Sequence, residues 1–168
     1  MNRKTKKIAF VGVLASLAMV LSYFELLLPP IYAGLPGIKM GLPNIVIIFA
    51  LYRFGIKEAA AISFVRLICV SLLFGTVMTF SYSLAGAALS LLLMWLLKHL
   101  DLFSITGVSV VGGISHNIGQ ILVAILLLGR FEIGYYLIVL TVTGTVAGTL
   151  IGIAASYLLK LLKKVKVG

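Results

Sequence analysis

Long apolar runs, separated by short polar or glycine-rich segments, repeat along the whole chain. A helix needs about 20 apolar residues to cross a bilayer, and several runs reach that length. The runs are continuous rather than alternating, which favours helices over the strands of a membrane β-barrel. The pattern predicts an all-α membrane protein with six transmembrane helices, at about residues 8–28, 41–54, 56–74, 79–98, 107–129 and 135–160.

The composition also indicates a membrane protein. Hydrophobic residues make up 62% of the sequence and charged residues 11%, and the mean hydropathy is +1.22. A soluble domain has about 45–50% apolar and about 25% charged residues. Six crossings leave no room in 168 residues for a second, soluble domain. We therefore expect one integral membrane domain over residues 1–168.

The distribution of basic residues predicts the orientation of the helices. Of the 14 Lys and Arg residues, eleven fall at the membrane boundary shared by the two termini, and only Lys39 and Arg130 fall at the opposite one. Because basic residues accumulate on the cytoplasmic side, both termini are predicted to be cytoplasmic and the 29–43 loop external. The net charge of +10 then marks topology and contacts with membrane lipid headgroups, not nucleic acid.

Helix 2 is short for a crossing, and an irregular segment precedes it. The loop at 29–39 contains three prolines, and Gly41-Leu42-Pro43-Asn44 follows at the outer end of the helix. Irregular backbone at membrane depth is tolerated where protein shields it or where it lines a cavity. We therefore expect the first outer loop to fold over a cavity that opens to the outside.

One charged residue stands inside a predicted crossing. Arg66 lies about 15 Å from the inner end of helix 3, near the middle of the membrane. A charge there costs roughly 2.5–3.5 kcal/mol on insertion scales, and it is tolerated where it faces a bundle interior or a polar partner. Polar residues on other helices lie at comparable depth or further out, namely Glu25, Asn44, His116, Asn117 and Gln120. Together with Arg66 they are predicted to form a substrate-binding site.

Each of these side chains also has a structural interpretation. Arg66 can be a structural cation that is neutralised by Glu25 or another buried acceptor. His116 can be a hydrogen-bonded core histidine, and Asn117 and Gln120 can join helices to each other. The sequence leaves both interpretations open for every member of the set.

The sequence carries no catalytic or metal-binding pattern. Its four acidic residues are scattered, so there is no paired-acid motif of the DDxxD kind that binds magnesium diphosphate. There is also no Walker loop for ATP hydrolysis. Cys69 is the single cysteine, which rules out a disulfide within the chain, and no metal-ligand spacing is present. We predict that the protein is not an enzyme and uses no metal and no cofactor.

Small residues at four-residue spacing mark helix faces that allow close approach. They occur on helices 1, 4 and 6, as Gly12 and Ser16, Gly86 and Ser90, and Gly144, Gly148 and Gly152. Such a face serves either packing within the bundle or docking of a partner, and the spacing alone does not distinguish the two.

Several sequence blocks carry a family resemblance. They are GIKMGLPNIVIIFALYRFGIKEA (37–59), FVRLICVSLLFGT (64–76), SLAGAALSLLLMWLLK (83–98), GVSVVGGISHNIGQILVA (107–124) and YYLIVL (135–140). Together they resemble the bacterial Gx transporter family, whose members often carry the name heptaprenyl diphosphate synthase component I. That family is similar to the substrate-binding S components of energy-coupling factor (ECF) transporters.

The resemblance implies an S-component-like bundle in the bacterial cell membrane, with cytoplasmic termini and an outward substrate pocket. It also implies partners, namely a membrane scaffold subunit and two cytoplasmic ATPases. S components dock partly through an alanine-rich AxxxA face on helix 1. The nearest match in this sequence is Ala9, Gly12, Ala15 and Ser16, without a strict AxxxA. We expect a substrate-binding subunit for uptake of a small molecule with a polar or anionic head.

A second function stays open at this point. The family name suggests a non-transporting accessory membrane protein of an isoprenoid or quinone pathway, as component I of heptaprenyl diphosphate synthase. Co-purification distinguishes the two functions, because a transport subunit binds an ATPase-bearing complex and an accessory protein binds a prenyl or quinone enzyme.

Overall fold

The computed structural model describes residues 2–27 and 41–164, and this part of the chain is helical without strands. The α-helices are α1 (Arg3–Leu27), α2 (Asn44–Arg53), α3 (Ile56–Phe74), α4 (Val77–Leu100), α5 (Ile105–Leu128) and α6 (Tyr136–Leu161), with 3₁₀ helices at Phe131–Tyr135 and Leu162–Lys164. The predicted all-helical fold is thus confirmed for the described residues. The predicted loop at 29–39 lies outside them.

Capping residues explain where α4 and α5 begin. The backbone N–H of Thr79 donates to the Thr76 hydroxyl at 3.2 Å, and the Thr76 N–H donates back to the Thr79 hydroxyl at 2.8 Å. The Ser104 hydroxyl likewise accepts from the Gly107 N–H at 3.1 Å. Such caps satisfy donors that a helix start leaves unpaired. Both helices therefore begin two residues earlier than the predicted positions 79 and 107.

The short helix α2 forms the centre of the hydrophobic core. Residues 46–51 are all buried, so the helix has no face directed outwards, as expected for a helix that is apolar all round. Around it lie Leu14 and Ala18 of α1, Ala59 and Ile62 of α3, Leu91 and Met94 of α4, Val108 of α5, and Ile151 and Ala155 of α6. These residues come from the ends of the helices nearest the two termini, so α2 fills that half of the bundle.

Close packing of α5 against α4 and α6 completes the bundle. A Cβ atom at Gly119 would come within 2.7 Å of the Ala85 carbonyl oxygen on α4. On the other side, a Cβ atom at Gly148 of α6 would lie 2.7 Å from the Val110 Cα atom. The Ser90 hydroxyl adds a hydrogen bond from α4 to the Gly112 carbonyl at 2.8 Å. The small faces of α4 and α6 therefore serve packing within the chain.

Large apolar side chains cover the outside of the bundle. Leu72, Val77 and Leu126 are each at least 80% exposed, which is typical of a surface in contact with lipid rather than water. Within residues 2–27 and 41–164, four helices are long and apolar enough to cross a membrane, at Arg3–Leu27, Val77–Leu100, Ile105–Leu128 and Phe131–Leu161. Helix α2 has 10 residues, and α3 carries Arg66 in its middle. Six crossings therefore stay a prediction.

Substituting Gly148 by alanine should destabilise the bundle. The added Cβ meets backbone atoms of α5, which cannot move aside as a flexible side chain would, and overpacking of this kind costs about 1–3 kcal/mol. We expect the midpoint of thermal unfolding in detergent to fall. Gly12→Ala is the matched control, because no atom lies within 4 Å of the added Cβ and alanine favours a helix. Equal midpoints for the two variants would contradict the packing described for α5 and α6.

Candidate functional site

The predicted site residues lie among a set of buried polar side chains. Glu25, Arg66, His116, Asn117 and Gln120 are all buried, with at most 7% of each residue exposed. Asn44 is half-buried in the first turn of α2. Polar groups at this level of burial are normally hydrogen-bonded, so their partners indicate what each one does.

Arg66 occupies the middle of the buried face of α3. Its Nη1 atom donates to the Ser22 hydroxyl of α1 at 3.4 Å, and the carboxylate of Glu25 acts on it electrostatically. Ser22 and Glu25 continue the buried stripe of Leu14 and Ala18 along α1. The guanidinium is thus held between α1 and α3, next to the core formed around α2.

The remaining nitrogens of Arg66 define an open binding edge. Among the residues that the structure describes, Nε and Nη2 have no hydrogen-bond partner although both atoms are buried. These two nitrogens share one side of the planar guanidinium, and their N–H bonds point the same way. That arrangement matches the two oxygens of a carboxylate or phosphate group. The edge therefore suits an anion bound in a bidentate manner.

Glu25 connects α1 to the start of α2. Its Oε1 atom accepts hydrogen bonds from the backbone N–H groups of Gly41 and Leu42, the latter at 3.3 Å. These two N–H groups belong to the turn just before α2, and a carboxylate is also favoured near a helix start because of the partial positive charge there. Asn44 lies in the same turn, where its own N–H donates to the Gly41 carbonyl at 2.8 Å. Glu25 thus holds the turn before α2 near Arg66.

His116 and Gln120 form a second polar group on α5. They are one turn apart and therefore lie on the same face. Gly86 of α4 makes room for both, since a Cβ atom there would lie 3.0 Å from the Gln120 Cγ atom and 3.1 Å from the His116 Cε1 atom. Among the described residues, the Gln120 amide nitrogen and oxygen have no hydrogen-bond partner.

Asn117 faces a different direction from its neighbours on α5. Its Nδ2 atom donates to the Leu140 carbonyl oxygen of α6 at 2.7 Å. The position on the helix explains this, because consecutive residues are about 100° apart around the axis. The side chain of Asn117 therefore joins α5 to α6, which is the structural interpretation that the sequence left open.

Apart from Asn117, the predicted residues fall into two sets by the elements that carry them. Glu25, Arg66 and the start of α2 form the first, and His116 and Gln120 form the second. Helix α4 packs against both α3 and α5, so it lies between the helices that carry these groups. Sequence reasoning missed Ser22, although its three-residue spacing from Glu25 on one face of helix 1 was a usable signal.

The proposed docking residues lie on the outside of α1. Ala9, Gly12 and Ser16 are exposed and Ala15 is half-buried. The Ser16 hydroxyl bonds to the Gly12 carbonyl of its own helix at 3.1 Å. Unlike the small residues of α4 and α6, this face packs against no other described helix at Gly12.

Comparison with known proteins identifies the family. The family model described as heptaprenyl diphosphate synthase component I matches residues 14–158. The chain belongs to this family. The match spans α2 to α5 completely and includes most of α1 and α6, which confirms the resemblance stated from the sequence blocks. No curated protein and no solved structure matches the chain significantly.

Membership of the component I family assigns a component of a synthase and no catalytic residue. Three of the four acidic residues, Glu25, Glu58 and Glu132, lie on different helices, and Asp101 follows α4. In the described part of the chain, no three His, Cys, Asp or Glu side chains are grouped so that they can hold a metal ion.

Replacing Glu25 by alanine should cost far more stability than replacing Glu58. Glu25→Ala leaves two N–H groups at the start of α2 without their acceptor and removes the negative charge beside Arg66, a loss on the order of 3–5 kcal/mol. Glu58 pairs with Lys7 where the two side chains are 21% and 42% exposed, so Glu58→Ala should cost no more than about 1 kcal/mol. Thermal unfolding in detergent measures both. Similar losses would show that Glu25 does not hold α2 in place.

Proposed function

We propose that this protein is the substrate-binding membrane subunit of an uptake system for a small molecule with an anionic head. A separate ATPase module supplies the energy, since the sequence has no Walker loop. The observation that carries the proposal is the unpartnered Nε–Nη2 edge of Arg66. A buried guanidinium edge without an acceptor is costly, and an anionic ligand removes that cost when it binds.

The surroundings of Arg66 support an anion that comes from the outer side of the membrane. The apolar core around α2 occupies the half of the bundle near the termini, and Glu25 meets the other end of α2. The ligand thus approaches from the side opposite the termini. In this water-poor interior, a charged hydrogen bond is stronger than at the surface.

The proposed topology has six crossings, with both termini in the cytoplasm of a bacterial cell. The basic residues support it, because a change in the number of crossings would disrupt their alternation between the two sides. Helix α2 crosses inside the bundle, where the other helices shield it from lipid. It therefore does not have to be as long as the bilayer is thick. The exposed small face of α1 is the proposed docking site for the membrane scaffold subunit.

A second candidate function is accessory binding of an isoprenoid or quinone precursor. The family description supports it, and so does an apolar groove of about 400 Å³ between α3 and α4. Ala60, Phe64, Leu84 and Leu91 contribute to its walls, and Ser63 is its one polar residue. Such a groove suits a prenyl chain. An associated prenyl or quinone enzyme, in place of an ATPase-bearing complex, would favour this function.

Mass spectrometry of small molecules carried through gentle purification tests the anion site. The parent protein should release an acidic molecule, because the Arg66 edge binds it. Arg66→Ala should lose that molecule. Arg66→Lys should retain at most about a tenth of it, because an ammonium group cannot make the paired contact. Arg130→Ala is the control, since Arg130 is exposed at the outer end of α5.

Two outcomes would contradict the proposed site. One is an acidic molecule that co-purifies equally with the parent and Arg66→Ala. The other is loss of the molecule from Arg130→Ala as well, which would indicate binding through overall charge. A folded state for each variant is verified by size-exclusion chromatography and thermal unfolding.

Cysteine labelling from outside intact cells tests the topology. In a Cys69→Ser background, Gly34→Cys should react with an impermeant maleimide, because the first loop is proposed to be external. Lys164→Cys should react only after the cells are opened, because the basic segment after α6 is proposed to be cytoplasmic. Labelling of Lys164→Cys in sealed cells would overturn the orientation.

A further inference from the structure

Gln120 is a buried amide on the strip of α5 that faces the bundle interior. It is 3% exposed. On one side of this strip, Gly112 and Gly119 meet α4, and on the other, Gly113 and Asn117 meet α6. At about 100° per residue, positions 116 and 120 fall between these two packed faces. The side chain of Gln120 therefore extends inwards and not towards lipid.

The side-chain amide of Gln120 differs in its hydrogen bonding from its polar neighbours Ser115 and Asn117. Both Nε2 and Oε1 of Gln120 lack a hydrogen-bond partner within the described residues. Two neighbouring buried side chains on the same helix, Ser115 and Asn117, are hydrogen-bonded. Ser115 donates to the Val111 carbonyl at 2.7 Å, and Asn117 donates to the Leu140 carbonyl at 2.7 Å. A buried amide that lacks hydrogen-bond partners destabilises the folded chain, because both of its polar groups have lost water without gaining a substitute. Such a cost is typical of a side chain whose hydrogen-bond partner is a bound ligand.

Helix α4 leaves space for this amide. A Cβ atom at Gly86 would lie 3.0 Å from the Gln120 Cγ atom and 2.8 Å from the His116 carbonyl oxygen. Any larger residue at position 86 would therefore displace α5 or the Gln120 side chain. Gln120 lies about 22 Å along α5 from its start at Ile105, and Arg66 lies about 15 Å along α3 from Ile56. The amide is thus about one helical turn further from the end of the bundle that α2 fills.

We infer that the ligand carries an amide-type edge, with adjacent C=O and N–H groups, at the end opposite its anionic head. A carboxamide offers one donor and one acceptor side by side. The complementary group is a primary amide, a lactam or an imide, which satisfies both atoms of Gln120 at once. This inference rests on the proposed function, because it takes the anionic head to be bound at Arg66. It narrows the substrate class to acids with an amide or amide-like ring edge.

Matched acids of increasing chain length test the inference. One series consists of ω-amido acids, beginning with succinamate. The other consists of their methyl-ketone isosteres, beginning with levulinate, which keep the carboxylate and the carbonyl but lack the N–H donor. Binding to the purified full chain is measured by calorimetry. At the chain length that binds best, the amido acid should bind about tenfold more tightly, because the ketone leaves the Gln120 oxygen unpaired.

Variants separate this inference from the proposed anion site. Gln120→Leu should bind both acids equally, and its thermal stability should hold or rise, because an unpaired amide is replaced by an apolar group of similar size. Ser115→Ala should keep the preference, since Ser115 bonds within its own helix. Arg66→Ala should bind neither series.

Each remaining outcome is decisive. Equal binding of amido and keto acids at every length, with loss in Arg66→Ala, would overturn the amide inference and leave the proposed function standing. A preference for the amide that persists in Gln120→Leu, or a large loss of stability in that variant, would also overturn the inference. Failure of every acid to bind the parent protein would count against the proposed anion site itself.

Discussion

The burial of a guanidinium group in the middle of an apolar bundle is the constraint on which the other features depend. Arg66 cannot lose its charge, so its surroundings have to supply acceptors. The structure supplies Ser22 and the nearby charge of Glu25. It leaves one edge of the guanidinium without a partner in the described residues. A guanidinium group with one unpaired edge is better suited to binding a ligand than to forming a purely structural ion pair.

Helix α2 gives this buried charge its position. The helix is short, fully enclosed and confined to one half of the bundle. Because Glu25 binds the backbone of the turn that leads into α2, the same carboxylate both stabilises α2 and acts electrostatically on Arg66. In the proposed function, stability and ligand binding are therefore coupled through Glu25. In the proposed function, an anionic ligand at Arg66 reduces the dependence of the guanidinium on Glu25, the residue that binds the backbone of Gly41 and Leu42.

Much of this arrangement follows from the sequence, and the rest depends on packing. The apolar runs predict all six helices, and the charge in the run around Arg66 predicts a buried polar site. The caps at Thr76 and Ser104 start α4 and α5 two residues before the positions that the apolar runs predict. The contact between Glu25 and Gly41 joins separate segments of the chain, so no local pattern reveals it. Asn117 and Gln120 point in different directions around α5. Which of the two side chains finds a hydrogen-bond partner therefore depends on where α4 and α6 pack.

The most direct test of the account is an experimental structure of the protein purified with its bound small molecule. The account predicts two ligand oxygens within hydrogen-bonding distance of Nε and Nη2 of Arg66, with Glu25 still bound to the backbone of Gly41 and Leu42. A structure in which the Glu25 carboxylate itself occupies the Nε–Nη2 edge, and the ligand lies elsewhere, would contradict it. Arg66 would then be a structural cation, and the binding site would have to be sought in another part of the bundle.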